Sequence, residues 1–269
     1  MLRQSMRNIG IRNILWSLVC ALFAAGICSA QTVLYFPQFV DGAQPASDVG
    51  WMTVIAVTNP AFYGTNTASG TITLTNPDGT PMNIMLTDEN GNPGNTFQLA
   101  GAQTKFFISP QVHADGPLPF KMGYATLTSN LPVSAGSIFT ELDVQKGAVI
   151  ATAGVPASTP LTREAIIAVG DKHDSVKTGL AMANPGTAPA TITFVLLDKS
   201  GTLIVPSVTL TLPPGNYRAS FISELFPNAP TDYFGTLRVL SDKGIVTAAL
   251  LFQGAAFGTV PVIPLPPLP

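Results

Sequence analysis

Thr178–Phe221 reads TGLAMANPGTAPATITFVLLDKSGTLIVPSVTLTLPPGNYRASF. Short runs rich in Thr, Val, Ile and Leu are cut by NPG, DKSG and LPPG. Those cuts supply what a reversing chain needs. Proline presets φ, glycine takes positive φ, and Asn or Asp bonds its own backbone. Several strands at this spacing predict a β-sandwich. A related pattern runs earlier in the chain, so one β module is expected to occur twice.

The landmarks recur in order. Asn59-Pro60 answers to Asn184-Pro185, and Thr71-Ile72-Thr73-Leu74 to Thr191-Ile192-Thr193-Phe194. Asp78-Gly79-Thr80 answers to Ser200-Gly201-Thr202, and Phe107-Ile108-Ser109 to Phe221-Ile222-Ser223. Thr128-Ser129-Asn130 answers to Leu240-Ser241-Asp242, each expected to open a last hairpin. The first copy is longer, mainly through a loop near Asp88. Two ordered copies are the mark of a duplicated unit.

The expected layout follows. Residues 1–30 read as a signal peptide: Arg3, Arg7 and Arg12, then the apolar ILWSLVCALFAA, then Cys28-Ser29-Ala30. A retained anchor is the alternative, although the apolar run is short for a hydrocarbon layer of ~30 Å. Residues 31–155 and 161–264 read as the two sandwiches, 156–160 as a stiff linker, and 265–269 as a Pro-rich tail. Strands are predicted at 32–39, 52–58, 71–75, 83–86, 96–99, 104–108, 124–128, 133–140 and 149–153 of the first copy. Pro37 suggests that the first of these is an edge strand. A single helical turn is predicted over Ile222–Phe226, capped by Ser220 or Ser223.

Both cysteines, Cys20 and Cys28, lie in the leader, so the remainder has no thiolate for metal or catalysis. Without the three leader arginines the balance is 10 Lys+Arg against 15 Asp+Glu, a net charge of −5. That mildly acidic balance, with no basic cluster, argues against nucleic acid. No later segment is long and apolar enough to span a membrane.

Chemistry-bearing residues are few. His113-Ala114-Asp115 and Asp171-Lys172-His173-Asp174 place imidazole beside carboxylate, but each falls short of the three or four convergent ligands of a transition-metal site. The loop from Asp88 alternates oxygen ligands as a calcium loop does, yet has Pro93 at the sixth position and Leu99 at the twelfth. No catalytic residue, cofactor site or metal site emerges, and the chain is expected not to be an enzyme. The ligand-contact candidates are aromatic: Tyr63, in the loop FYGTNT, and Trp51, which also fits a sandwich core.

YFPQFVDG, WMTVIAVTNP, GVPAST, LAMANPGTAPATITF, LTLPPG, FISELFP and LLFQGAAFGTVPVIP together resemble secreted soil-bacterial proteins with tandem Ig-like or fibronectin-like modules. That resemblance implies two tandem Ig-like antiparallel β-sandwich domains after a signal peptide, with a surface, adhesion or spacer role and no catalytic residue to carry over. The expected function is a non-catalytic secreted or envelope-associated adhesion, interaction or structural protein. A protein or polysaccharide of the cell envelope or extracellular matrix would be its partner. A carbohydrate-binding module is the alternative, and a secreted hydrolase comes third.

Overall fold

In the computed structural model, residues 31–44, 47–61, 66–110, 119–161, 164–173 and 175–265 are described. Residues 1–30 and 266–269 lie outside them. The fold is all-β. The first half holds β1 (Thr32–Ala43), β2 (Val49–Thr58), β3 (Ala68–Thr75), β4 (Thr96–Leu99), β5 (Thr104–Ile108), β6 (Lys121–Ser129), β7 (Ser134–Asp143) and β8 (Ala148–Pro156). The second holds β9 (Glu164–Lys172), β10 (Val176–Ala183), β11 (Ala190–Asp198), β12 (Val208–Leu212), β13 (Tyr217–Phe221), α1 (Ile222–Leu225), β14 (Asp232–Ser241), β15 (Val246–Gln253), β16 (Ala256–Val260) and β17 (Ile263–Pro264).

Each half is one antiparallel sheet folded on itself into two layers. The first runs β4-β3-β6-β1-β2-β7-β8 with β5 on β2, and the second runs β12-β11-β14-β9-β10-β15-β16 with β13 on β10. Every strand of the first half therefore has a counterpart eight places later. β1 carries the sheet from one layer to the other. It pairs with β6 over most of its length and with β2 at Gly42 and Ala43. It is not an edge strand. The ladder shifts between Phe36 and Phe39, so the missing N–H of Pro37 falls in a bulge.

Alternation builds the cores. In β3 Ile72 and Leu74 point inward between threonines, and in β11 Ile192, Phe194 and Leu196 form the corresponding inward row. The first core gathers Phe36, Phe39, Ile55, Phe107 and Leu127; the second gathers Ile167, Leu180, Met182, Phe194 and Leu237.

Hydrogen bonds repeat along with the topology. The buried hydroxyls of Thr53 and Thr178 donate to the carbonyls of Val40 (2.7 Å) and Gly170 (3.0 Å) and accept the same residues' N–H groups. Asn59 donates to Leu99 and Asn66 carbonyls; Asn184 donates to Leu212 and Ala188 carbonyls. The turns at 76–80 and 198–202 close with the same pair of backbone bonds, Asn76 N–H to Thr80 and Gly79 N–H to Asn76 in the first, Asp198 N–H to Thr202 and Gly201 N–H to Asp198 in the second.

Three expectations are corrected. The segments 124–128 and 133–140 do not form a hairpin. β6 pairs with β1 and β3, while β7 pairs with β2 and β8 in the other layer. Ala125 and Leu127 of β6 enter the first core and Ala135 of β7 packs against it from the other layer. Asn130 fixes the crossing by accepting Ser69 N–H at 2.7 Å, as Asp242 does for Thr191 N–H. Second, these bonds match Ser69 with Thr191, so Thr71 answers to Thr193, two residues from the sequence match. A two-residue slip keeps every side chain on its face, so alternation cannot detect it. Third, residues 83–86 form no strand, and only isolated bridges at Pro81 and Thr87 flank them. The helical turn is present, but Phe221 is its N-cap and its N–H donates to Glu224 Oε2 at 2.9 Å.

Candidate functional site

From Thr32 on, the two sandwiches pack as one compact unit. The outer face of β1 and β6 meets the outer face of β10, β13 and β15. The first face presents Tyr35, Met122 and Tyr124; the second presents Ala181, Ala183, Ala219 and Tyr217. Small residues on the second face let the backbones come close. The Tyr217 hydroxyl donates to Gln38 Oε1 at 2.7 Å and its N–H donates to Pro77 O at 3.0 Å. Complete burial pushes its phenol well above the ordinary range. Farther along, Val40, Phe139, Ala153 and Val155 form a small core with Ala248 and Phe257. The Thr259 hydroxyl donates to the Gly154 carbonyl.

Beside this seam lies a cleft of about 400 Å³. Gln38, Trp51, Met122 and Glu141 line it from the first sandwich; Ser220, Phe221, Leu250 and Phe252 line it from the second. Trp51, Phe252 and Phe221 line it, and the buried Phe257 joins Trp51 to Phe252. Trp51 lies 5.6 Å from Phe257, Phe257 lies 5.5 Å from Phe252, and Phe252 meets Phe221 edge-on at 5.5 Å. Contacts of this geometry hold aromatic rings in place. The half-buried Trp51 has its indole N–H buried and without a hydrogen-bond partner. Glu141 stands across the ladder from Trp51, and burial pushes its carboxyl upward. The site thus combines a wide apolar wall with a few amide, hydroxyl and carboxyl groups, the usual make-up of a ligand cleft.

Of the sequence candidates, Trp51 is in this cleft, while Tyr63 and His113 lie outside the described residues. His173 is on a turn at φ +33°, its N–H bonded to Thr231 O at 3.0 Å. It borders a smaller recess of about 220 Å³ with Asp171 and Tyr233. The Tyr233 hydroxyl is buried without a partner, and burial, with Asp171 nearby, pushes it up to about 12. Asp88 is occupied by its own turn, accepting from Asn90 N–H, Asn92 N–H and the Asn92 amide. Those bonds hold its carboxyl below the usual range. Among the described residues, no three His, Cys, Asp or Glu side chains come together as a metal would require. No described helix is long and apolar enough to cross a membrane.

Reading the chain without its fold missed Phe221, Phe252, Phe257 and Glu141. Two of them, Phe252 and Phe257, sit in LLFQGAAF, where ring spacing along a hairpin was a visible signal. Which wall those rings would face depended on docking between sandwiches. The fold and cleft define a two-sandwich all-β chain with an aromatic groove at its internal seam. No protein-family model matches the chain, and no curated protein matches it.

Proposed function

We propose that this is a non-catalytic β-sandwich protein, exported by its leader to the cell surface, periplasm or medium, with an adhesion, interaction or structural role. Its modules, of the Ig-like kind, span 31–155 and 161–264. The partner is a protein or polysaccharide of the envelope or extracellular matrix, held in the cleft between the sandwiches. The observation that carries this is the set of rings Trp51, Phe252 and Phe221, joined through the buried Phe257, lining a groove that also presents amide, hydroxyl and carboxyl groups. Such a surface binds by stacking and hydrogen bonding on a rigid scaffold.

Carbohydrate binding is the second reading, favoured by the Trp51, Phe252 and Phe221 rings lining the groove, which offer flat faces for stacking. The experiment is co-sedimentation of the purified chain with isolated cell envelope and, in parallel, with insoluble polysaccharides. Retention on envelope alone supports the leading reading. Retention on a polysaccharide that is lost in Trp51→Ala promotes the second. Retention on neither overturns both.

A further inference from the structure

The contact between the sandwiches is heterologous: the β1–β6 outer face of the first is seated on the β10–β13–β15 outer face of the second. Because the two halves share one topology, each of these faces has a counterpart at the other end of the molecule. Thr53 and Thr178 fix the register. Val54, Ala56, Phe106 and Ile138 then correspond to Gly179, Ala181, Ala219 and Leu250. In the second sandwich Ala181 and Ala219 of that face are packed in the seam, and Gly179 and Leu250 border the cleft beside it. In the first that face is open, with Phe106 40% and Ile138 41% exposed above Val54 and Ala56.

The opposite face is open too. Gly123 and Gly235 occupy the same site: a Cβ on either would come 1.9 Å from a carbonyl oxygen of the neighbouring strand, Thr75 in one half and Leu197 in the other. That match sets Met122 against Phe234, Tyr124 against Thr236, and Tyr35 against Ile166. Met122, Tyr124 and Tyr35 are packed in the seam. Phe234 is 41% exposed, with the Lys199 ammonium 5.6 Å from its ring centre. Bulk is distributed differently in the two settings: Phe106 stands where the seam has Ala219, Ile166 and Thr236 stand where it has Tyr35 and Tyr124, and Phe234 stands where it has Met122. At the seam, large residues on β1 and β6 meet alanines. At the open ends, large Phe106 and Ile138 face outward on the receiving side, and smaller Ile166 and Thr236 flank Phe234 on the other.

We propose that a second copy of this chain docks head to tail, seating the Phe234 face of its second sandwich on the Phe106–Ile138 face of the first. The contact repeats the one already made inside each chain. A heterologous contact of this kind leaves one face free at each end, so it closes into a ring or runs on as a filament.

The test is sedimentation velocity on the chain purified from expression of the full sequence, over rising concentration, with Phe106→Glu and Phe234→Glu. Both side chains are exposed, so folding should persist; circular dichroism checks this, and Phe106→Ser with Phe234→Ser replaces any variant that fails to fold. The expected result is growth of the wild type beyond a dimer and monomers for each variant alone. A mixture of the two variants should form one species of two chains, because each retains the face the other lacks. A wild type that stays monomeric overturns the proposal. So does assembly abolished by the Phe106 substitution but untouched by the Phe234 one, which would mean a face-to-face dimer. Assembly that appears only on adding cell envelope would assign the Phe106 face to another partner and overturn it as well.

Discussion

Asn184→Ala should cost about 4–6 kcal/mol of stability, and the value follows from three bonds. Asn184 is fully buried; its amide donates to Ala188 O at 2.8 Å and Leu212 O at 2.9 Å, and its oxygen accepts Gly186 N–H at 3.0 Å. Each such bond is worth about 1 kcal/mol net, and a buried acceptor left unpaired adds about 1–3 kcal/mol. The Leu212 bond is the buried one, so its carbonyl carries that extra penalty. Asn184→Asp keeps the shape and removes both donors. A carboxylate would then face two carbonyl oxygens, which favours the protonated acid in the folded state. This variant should be less stable than the alanine variant at neutral pH and recover as pH falls. The twin at Asn59, with bonds of 3.2, 3.0 and 3.1 Å, should lose somewhat less on Asn59→Ala. Urea unfolding followed by far-UV circular dichroism reads all three against wild type, through the midpoint at constant m. An alanine variant within about 0.5 kcal/mol of wild type, the range of an ordinary surface change, would refute the reasoning.

Gly235→Ala and Gly123→Ala should each cost more than about 3 kcal/mol or prevent soluble accumulation, because the new methyl would strike a ladder carbonyl rather than a yielding side chain. Gly258→Ala, with open space around it, is the control and should be near neutral in the same unfolding assay. Asp41 is buried with Oδ1 unpartnered, and burial pushes its carboxyl up to about 6. Its folded pKa lies above the unfolded value of about 3.9, so folding is favoured while it is protonated. That contribution is complete below about pH 4, is lost as pH rises through about 6, and amounts to at most about 3 kcal/mol at 1.36 kcal/mol per unit. Asp41→Asn should flatten this part of the stability-versus-pH curve and raise stability at neutral pH.

The turns and the repeat were legible because they rest on local chemistry. Asn59-Pro60 and Asn184-Pro185 mark the same buried clamp, and Gly79 and Gly201 both take positive φ in matching turns. Strand pairing was less legible, since β6 and β7 look like neighbours in sequence and lie in opposite layers. Alternation fixes which face a residue occupies but leaves a two-residue slip free, so Thr71 was set against the wrong threonine. The glycines at 123 and 235 reveal their purpose only when a neighbouring carbonyl is placed beside them. The cleft is the extreme case. Trp51 was identified as a candidate from its residue type. Its companions Phe252 and Phe257 come from a hairpin two hundred residues away, and nothing local says that the two sandwiches bring them together.

Trp51 itself offers the most direct test of the cleft, since the other tryptophan, Trp16, lies within residues 1–30 and is absent from a chain of residues 31–269. Its fluorescence should be followed while solubilised envelope or oligosaccharide is added to residues 31–269. A saturable change in emission, weakened in Phe252→Ala, is the predicted result. Binding that proceeds with Trp51 emission unmoved, and is unaffected by Trp51→Ala, would contradict the cleft as the functional site.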